Sequence, residues 1–126
     1  MTAVAIAHGL DLLNHNPGAA CGGNNHSWSN DGSWTPGCYV PGDQSTYGIM
    51  WKKPQEIANY SGYGYEIVAW SSSQITQQQA LDLWKKSAAH NDVILNKGQW
   101  SNRVWKALGA IVNGNYACAW FGEQQG

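Results

Sequence analysis

The sequence is short of charge. Only 12% of its 126 residues are Asp, Glu, Lys or Arg, and these nearly cancel, to a formal net charge of −1. It has no basic run, so the electrostatic footprint of a nucleic-acid binder is missing. No apolar stretch approaches the roughly 20 residues that a membrane-spanning helix needs. No CxxC pair occurs, which argues against structural zinc built on cysteine. Phe occurs once, so other aromatics must supply core bulk. No internal repeat or low-complexity segment stands out. The first 18 residues lack a basic leader, and His8 and Asp11 interrupt their apolar run. They do not read as a secretory signal. If the protein is secreted, its signal was removed before this numbering begins.

What is present is Gly (15), Trp (8) and abundant Asn, Ser and Gln, a composition that points outside the cell. The length suits one domain with a single sizeable core. Three cysteines make an odd count. Cys21 and Cys38 both lie in the loop-rich first third, and a disulfide between them would staple it, by about 3 kcal/mol in the loop-entropy account. Cys118 sits in an apolar alternating run and reads as a buried free thiol.

Periodicity predicts the elements. Ala3, Ile6, Ala7, Leu10 and Leu13 recur at helical steps, giving an amphipathic helix over 2–14 that Asn16-Pro17-Gly18 ends. Residues 17–48 hold seven glycines and three of the four prolines, a long loop of the kind that is functional or cross-linked. Pro54 suits the first turn of a short helix. Residues 63–70 read as a strand. Residues 75–89 read as the best helix, opened by a Thr76/Gln79 capping box, with a further helical turn at 93–95. Residues 106–122 read as a hairpin turning at Asn113-Gly114. In its first strand Ala107 and Gly109 share a face with Ile111, small enough for close helix packing.

Three residues draw attention for chemistry: His26 in the glycine-rich loop, Glu66 inside an apolar strand, and His90 at the end of the good helix. A carboxylate in apolar surroundings is costly without a partner. Two imidazoles and one carboxylate make an open metal site of the kind used by zinc, or equally a hydrogen-bonded polar cluster in a cleft. Each also has a plainer reading. His90 can bond the last helix carbonyls, His26 can satisfy loop amides, and Glu66 can face solvent from an edge strand. His8 and His15 have no partner motif and read as structural or exposed. Trp70, Trp84, Trp105 and Trp120 read as core. Trp28, Trp34, Trp51 and Trp100 lie in or near loops, where rings can line a groove or cover the core. No GxSxG, HExxH or close carboxylate pair points to a hydrolase.

Several stretches resemble one family. In "ALDLWKKSAAHNDVILN", 80–96, a tryptophan, a serine, a histidine and "ILN" follow as in the bacterial branch of the CAP superfamily, which includes cysteine-rich secretory and plant pathogenesis-related proteins. "KALGAIVNGNYACAWFG" resembles that branch's closing hairpin. "GYEI" stands where the family has Gly-Glu-Asn, and "HSW" where it has its first histidine. The similarity spans most of 1–122. It implies an α+β fold, an α-β-α sandwich around a mainly antiparallel sheet, as well as secretion and a central cleft. His26, Glu66 and His90 would line that cleft and hold a divalent cation, often zinc. Some members bind sterols or other lipids, some have antimicrobial or immune-related roles, and no single enzymatic activity defines them.

The chain departs from the family in three ways. Ile67 replaces the Asn after the glutamate, and "LWKKSAAH" lacks the second acidic residue. Residue 1 also corresponds to the start of the family's second helix, so the chain is expected to lack the first helix, as a fragment, a processed form or a minimal variant; that would expose a face to a partner or to a second copy in a homo-oligomer. Three functions follow. The first is a secreted binding module whose cleft holds a divalent metal and a small ligand, lipid or glycan. The second is a metal-assisted hydrolase with Glu66 as base or ligand. The third is a structural or partner-binding protein with a vestigial cleft. The missing catalytic motifs favour the first.

Overall fold

The computed structural model describes residues 1–126. Helix α1 runs Thr2–His15, α2 Pro17–Cys21, α3 Gly48–Trp51 and α4 Lys53–Ala58. Strand β1, Tyr65–Trp70, is followed by α5, Gln77–Lys86, and α6, Ala88–Leu95. The hairpin β2, Ala107–Asn113, and β3, Tyr116–Gly122, completes the chain. The sheet is antiparallel throughout, in the order β1-β3-β2. β3 is central, and every residue of it is buried.

Alternation along the strands sends side chains to two cores. On one face Ile67, Ala69, Ala117, Ala119 and Phe121 pack with Ala80, Trp84 and Val93 of α5 and α6. On the other, Cys118 and Trp120 meet Val4 and Ala5 of α1, together with Trp28 and Met50. The molecule is therefore an α+β fold in three layers, helix–sheet–helix. The small face of β2 has the packing role expected of it. A Cβ on Gly109 would lie 2.3 Å from the Met1 carbonyl carbon, and one on Gly9 would lie 2.8 Å from Ile111 Cγ2. Glycine on both sides lets α1 sit close against the sheet.

Local signals set the ends of the elements. Thr76 Oγ1 accepts from Gln79 N at 3.1 Å, and Gln79 Oε1 accepts from Thr76 N at 2.9 Å, a complete capping box. Asn16, Asn59 and Asn96, all at positive φ, terminate α1, α4 and α6. Asn tolerates this left-handed conformation better than most residues.

Four expectations are corrected. The helix expected over 75–89 breaks at Ser87, whose backbone is extended (φ −93°, ψ 114°), and a second helix restarts at Ala88. The hairpin turns at Gly114-Asn115 rather than Asn113-Gly114, because Asn113 pairs with Tyr116. Positive φ falls on Gly114 alone, as in a type II′ turn with glycine first. α1 buries Val4, Ala5, His8, Asp11 and Leu12, while Ile6, Leu10 and Leu13 of the expected apolar stripe are exposed. Trp70, expected in the core, is 53% exposed at the end of β1; loop-borne Trp28 takes the second of its two readings and is buried in the core.

Candidate functional site

Glu66 lies on β1 on the sheet face that α1 covers, buried and not solvent-facing. Each of its carboxylate oxygens meets an imidazole. Oε1 is 2.8 Å from His26 Nδ1, and Oε2 contacts His8 Nδ1. His8 comes from the middle of α1 and is fully buried, stacked on Trp28 with ring centroids 4.1 Å apart. Its Nε2 donates to the Ser27 carbonyl at 2.9 Å. A carbonyl only accepts, so Nε2 carries a proton. One further proton must then lie between His8 Nδ1 and Glu66 Oε2. Burial pushes the Glu66 carboxyl up. The His8 charge and the hydrogen bonds from both imidazoles outweigh burial and leave its pKa lowered.

The loop holding His26 is ordered by more than glycine. The Cys21–Cys38 disulfide forms, with Cα atoms 5.9 Å apart. Trp28 and Gly37 exchange backbone hydrogen bonds, Asn24 N donates to Tyr39 O at 2.9 Å, and Tyr39 N donates to Ser27 Oγ at 2.8 Å. The Asn24 side chain accepts from His26 N at 2.9 Å, a local Asx turn. His26 thus presents Nδ1 to Glu66 and keeps Nε2 free of protein partners.

His90 reaches the same cleft from α6. The break at Ser87 supplies its orienting group, with Ser87 Oγ 2.8 Å from His90 Nδ1. Burial, and then the nearby His26, lower the His90 pKa. His26, Glu66 and His90 line one cavity of about 500 Å³, inside the range of about 300–1,000 Å³ typical of small-molecule sites. The three residues singled out from the sequence are therefore brought together, across 64 positions of chain.

The cleft was expected to hold a divalent cation. The donor set fits in part. Both Glu66 oxygens are occupied by Nδ1 atoms, so this carboxylate stands behind His26 as an orienting group rather than beside it as a ligand. No three His, Cys, Asp or Glu side chains are grouped to bind one ion. The Nε2 atoms of His26 and His90 have no partner within the protein.

No protein-family model, curated protein or solved structure matches this chain.

Several cleft residues were not identified from the sequence. His8 was, but as a residue without a partner; its signal is that it falls on the Val4–Ala5–Leu12 face of α1. Tyr39 and Tyr47 stack at 4.4 Å on one side of the cleft, with Trp51 edge-on to Tyr47 at 6.0 Å. Tyr65 and Trp100 stand at 5.3 Å on another. Arg103 covers that second pair, 4.7 Å from the Tyr65 centroid, and its charge is paired with Glu123 at 2.6 Å. Of the loop tryptophans, Trp51 and Trp100 line the cleft; Trp28 and Trp34 belong to the α1-side packing. His15 is at the surface, 3.0 Å from buried Asp11. Cys118 is buried and free, and burial and then Glu66 push its thiol pKa well up, which leaves it an inert packing group.

Proposed function

We propose that this chain is an extracellular binding module of CAP type, with the His26–Glu66–His90 cleft as its small-molecule site. The observation that carries the reading is the pair of cleft imidazoles, each anchored through Nδ1 and each with Nε2 left free. Side chains held this way are preorganised to bind, because their rotamers are fixed before a ligand arrives. The order of "HSW", "GYEI" and the Trp–Ser–His–"ILN" run along the chain supports the CAP assignment. The disulfide agrees with an oxidising compartment, and no helix is long and apolar enough to cross a membrane.

His26 and His90 would be the protein ligands of a divalent cation such as zinc, with ligand or water completing the shell. A bound cation would supply Lewis acidity toward a ligand oxygen. Glu66 holds His26 in one tautomer, and His8 holds Glu66. Zinc titration followed by histidine NMR tests the reading. Wild type should bind at neutral pH, and His26→Ala and His90→Ala should each weaken binding by at least about tenfold. A wild type whose His26 and His90 signals ignore zinc would refute the cation site.

The Glu66–His26 dyad favours a second reading. A carboxylate-oriented imidazole facing a cleft is the arrangement of a general base that activates water. Under that reading Glu66→Gln abolishes turnover of a hydrolysable ligand while leaving its binding in place. Loss of binding and turnover together would remove it.

A further inference from the structure

We infer that the ligand class of this cleft is a neutral oligosaccharide, an inference that rests on the cleft being the binding site. Three features of the lining decide it.

The first is charge. The cleft has two fully charged groups, and both are already balanced within the protein. Glu66 is held between His8 and His26, and Arg103 is paired with Glu123. Among the protein's own groups, a ligand carrying a carboxylate or phosphate finds no unpaired cation. A cationic ligand finds no unpaired carboxylate.

The second is the aromatic surface. Tyr39, Tyr47 and Trp51 form one wall, and Tyr65 and Trp100 belong to another. Tyr39, Tyr47, Trp51 and Trp100 are only half-buried, so they keep surface to offer. The aliphatic members of the lining contribute little: Met50, Ile67 and Val93 are buried at 6%, 1% and 7% exposure, and exposed Ala89 adds one methyl group. An acyl chain needs aliphatic walls along its length. A pyranose ring instead presents a face of C–H bonds, which the negative face of an aromatic ring attracts.

The third is the set of uncharged hydrogen-bonding groups. The Gln44 and Gln99 carboxamides, the Tyr39 hydroxyl and the Nε2 atoms of His26 and His90 have no partner in the protein. Burial, and then Tyr47, push the Tyr39 pKa up to about 12, so its hydroxyl keeps its proton. Carboxamides and hydroxyls both donate and accept, and His26 Nε2, with Nδ1 donating to Glu66, accepts; sugar hydroxyls can meet both roles. Aromatic faces with a few convergent uncharged polar groups are what a polyhydroxylated ligand needs.

The test is a set of NMR titrations of the whole chain with cellotetraose, tetra-N-acetylchitotetraose, tetragalacturonate and oleate. The reporters are the indole N–H signals of Trp51 and Trp100, with exposed Trp70 as the control outside the cleft. At least one neutral tetrasaccharide should shift Trp51 and Trp100 saturably and leave Trp70 in place. Trp100→Ala should weaken that binding by about tenfold. Gln99→Ala, at an exposed position that does not threaten folding, should weaken it measurably. Several results would overturn the inference: no response to either neutral sugar, shifts confined to residues outside the cleft, or binding that Gln99→Ala and Trp100→Ala leave unchanged. Binding of tetragalacturonate alone would refute a neutral ligand. Binding of oleate alone would refute the sugar while leaving the cleft reading in place, and zinc titration of His26 and His90 tests that reading separately.

Discussion

Glu66 and His8 form a hydrogen-bonded pair whose side chains are shielded from solvent. Removing His8 leaves one oxygen of the buried Glu66 carboxylate without a partner while His26 holds the other, at a cost of up to about 3–5 kcal/mol. His8→Ala should therefore lose stability of that order by urea denaturation, a large share of the 5–15 kcal/mol typical of a domain. A surface histidine would give a value near zero. Acid should expose the same pair. The Glu66 pKa is lowered in the folded protein. Its stabilisation is therefore complete above the unfolded-state pKa of about 4.3 and is lost as pH falls through the lower folded value. Glu66→Gln should remove that component, so its stability profile below about pH 5 should be flatter than that of wild type. Equal slopes for the two proteins would show that the carboxylate is not held as described.

At the scale of the element, local chemistry and tertiary context divide cleanly. The Thr76/Gln79 box works as the sequence pattern implies, and Thr76→Ala should cost about 1 kcal/mol. α1 shows the opposite case. It carries apolar residues on two faces, and periodicity alone selected the one with more Leu and Ile. The sheet selected the other, because close approach through Gly9 and Gly109 turns Val4, Ala5 and Leu12 inward. The same rotation buries His8 and Asp11, which are tolerated because each is hydrogen-bonded. Leu12→Ala should thus cost about 2–5 kcal/mol, and Leu10→Ala no more than about 0.5 kcal/mol. Chemical denaturation of the two variants checks which face is buried. The break between α5 and α6 was hidden for a related reason. Ser87 is compatible with a continuing helix, and its extended backbone is paired with its contact to His90.

For the whole molecule, the Cys21–Cys38 bridge fastens the loop that carries His26 and Tyr39 to the rest of the fold. The double variant Cys21→Ser/Cys38→Ser should lose about 3 kcal/mol. Its hydrogen exchange should quicken over residues 22–43, and the β2–β3 hairpin should stay protected. Uniform loss of protection would show that the bridge holds the entire domain and not the loop.

The sequence by itself determined much of the local structure: the capped helix, the hairpin, the loop staple, the buried thiol, and the three residues that share a cleft. These follow from signals a few residues long, such as cap patterns, turn formers and a carboxylate inside an apolar strand. Only the tertiary structure decided which face of α1 is buried, that His8 is the second partner of Glu66, and that both Glu66 oxygens are taken by imidazoles. The reason is physical. A carboxylate has two oxygens, and whether they face a metal or two imidazoles depends on what a helix 58 positions away brings against it.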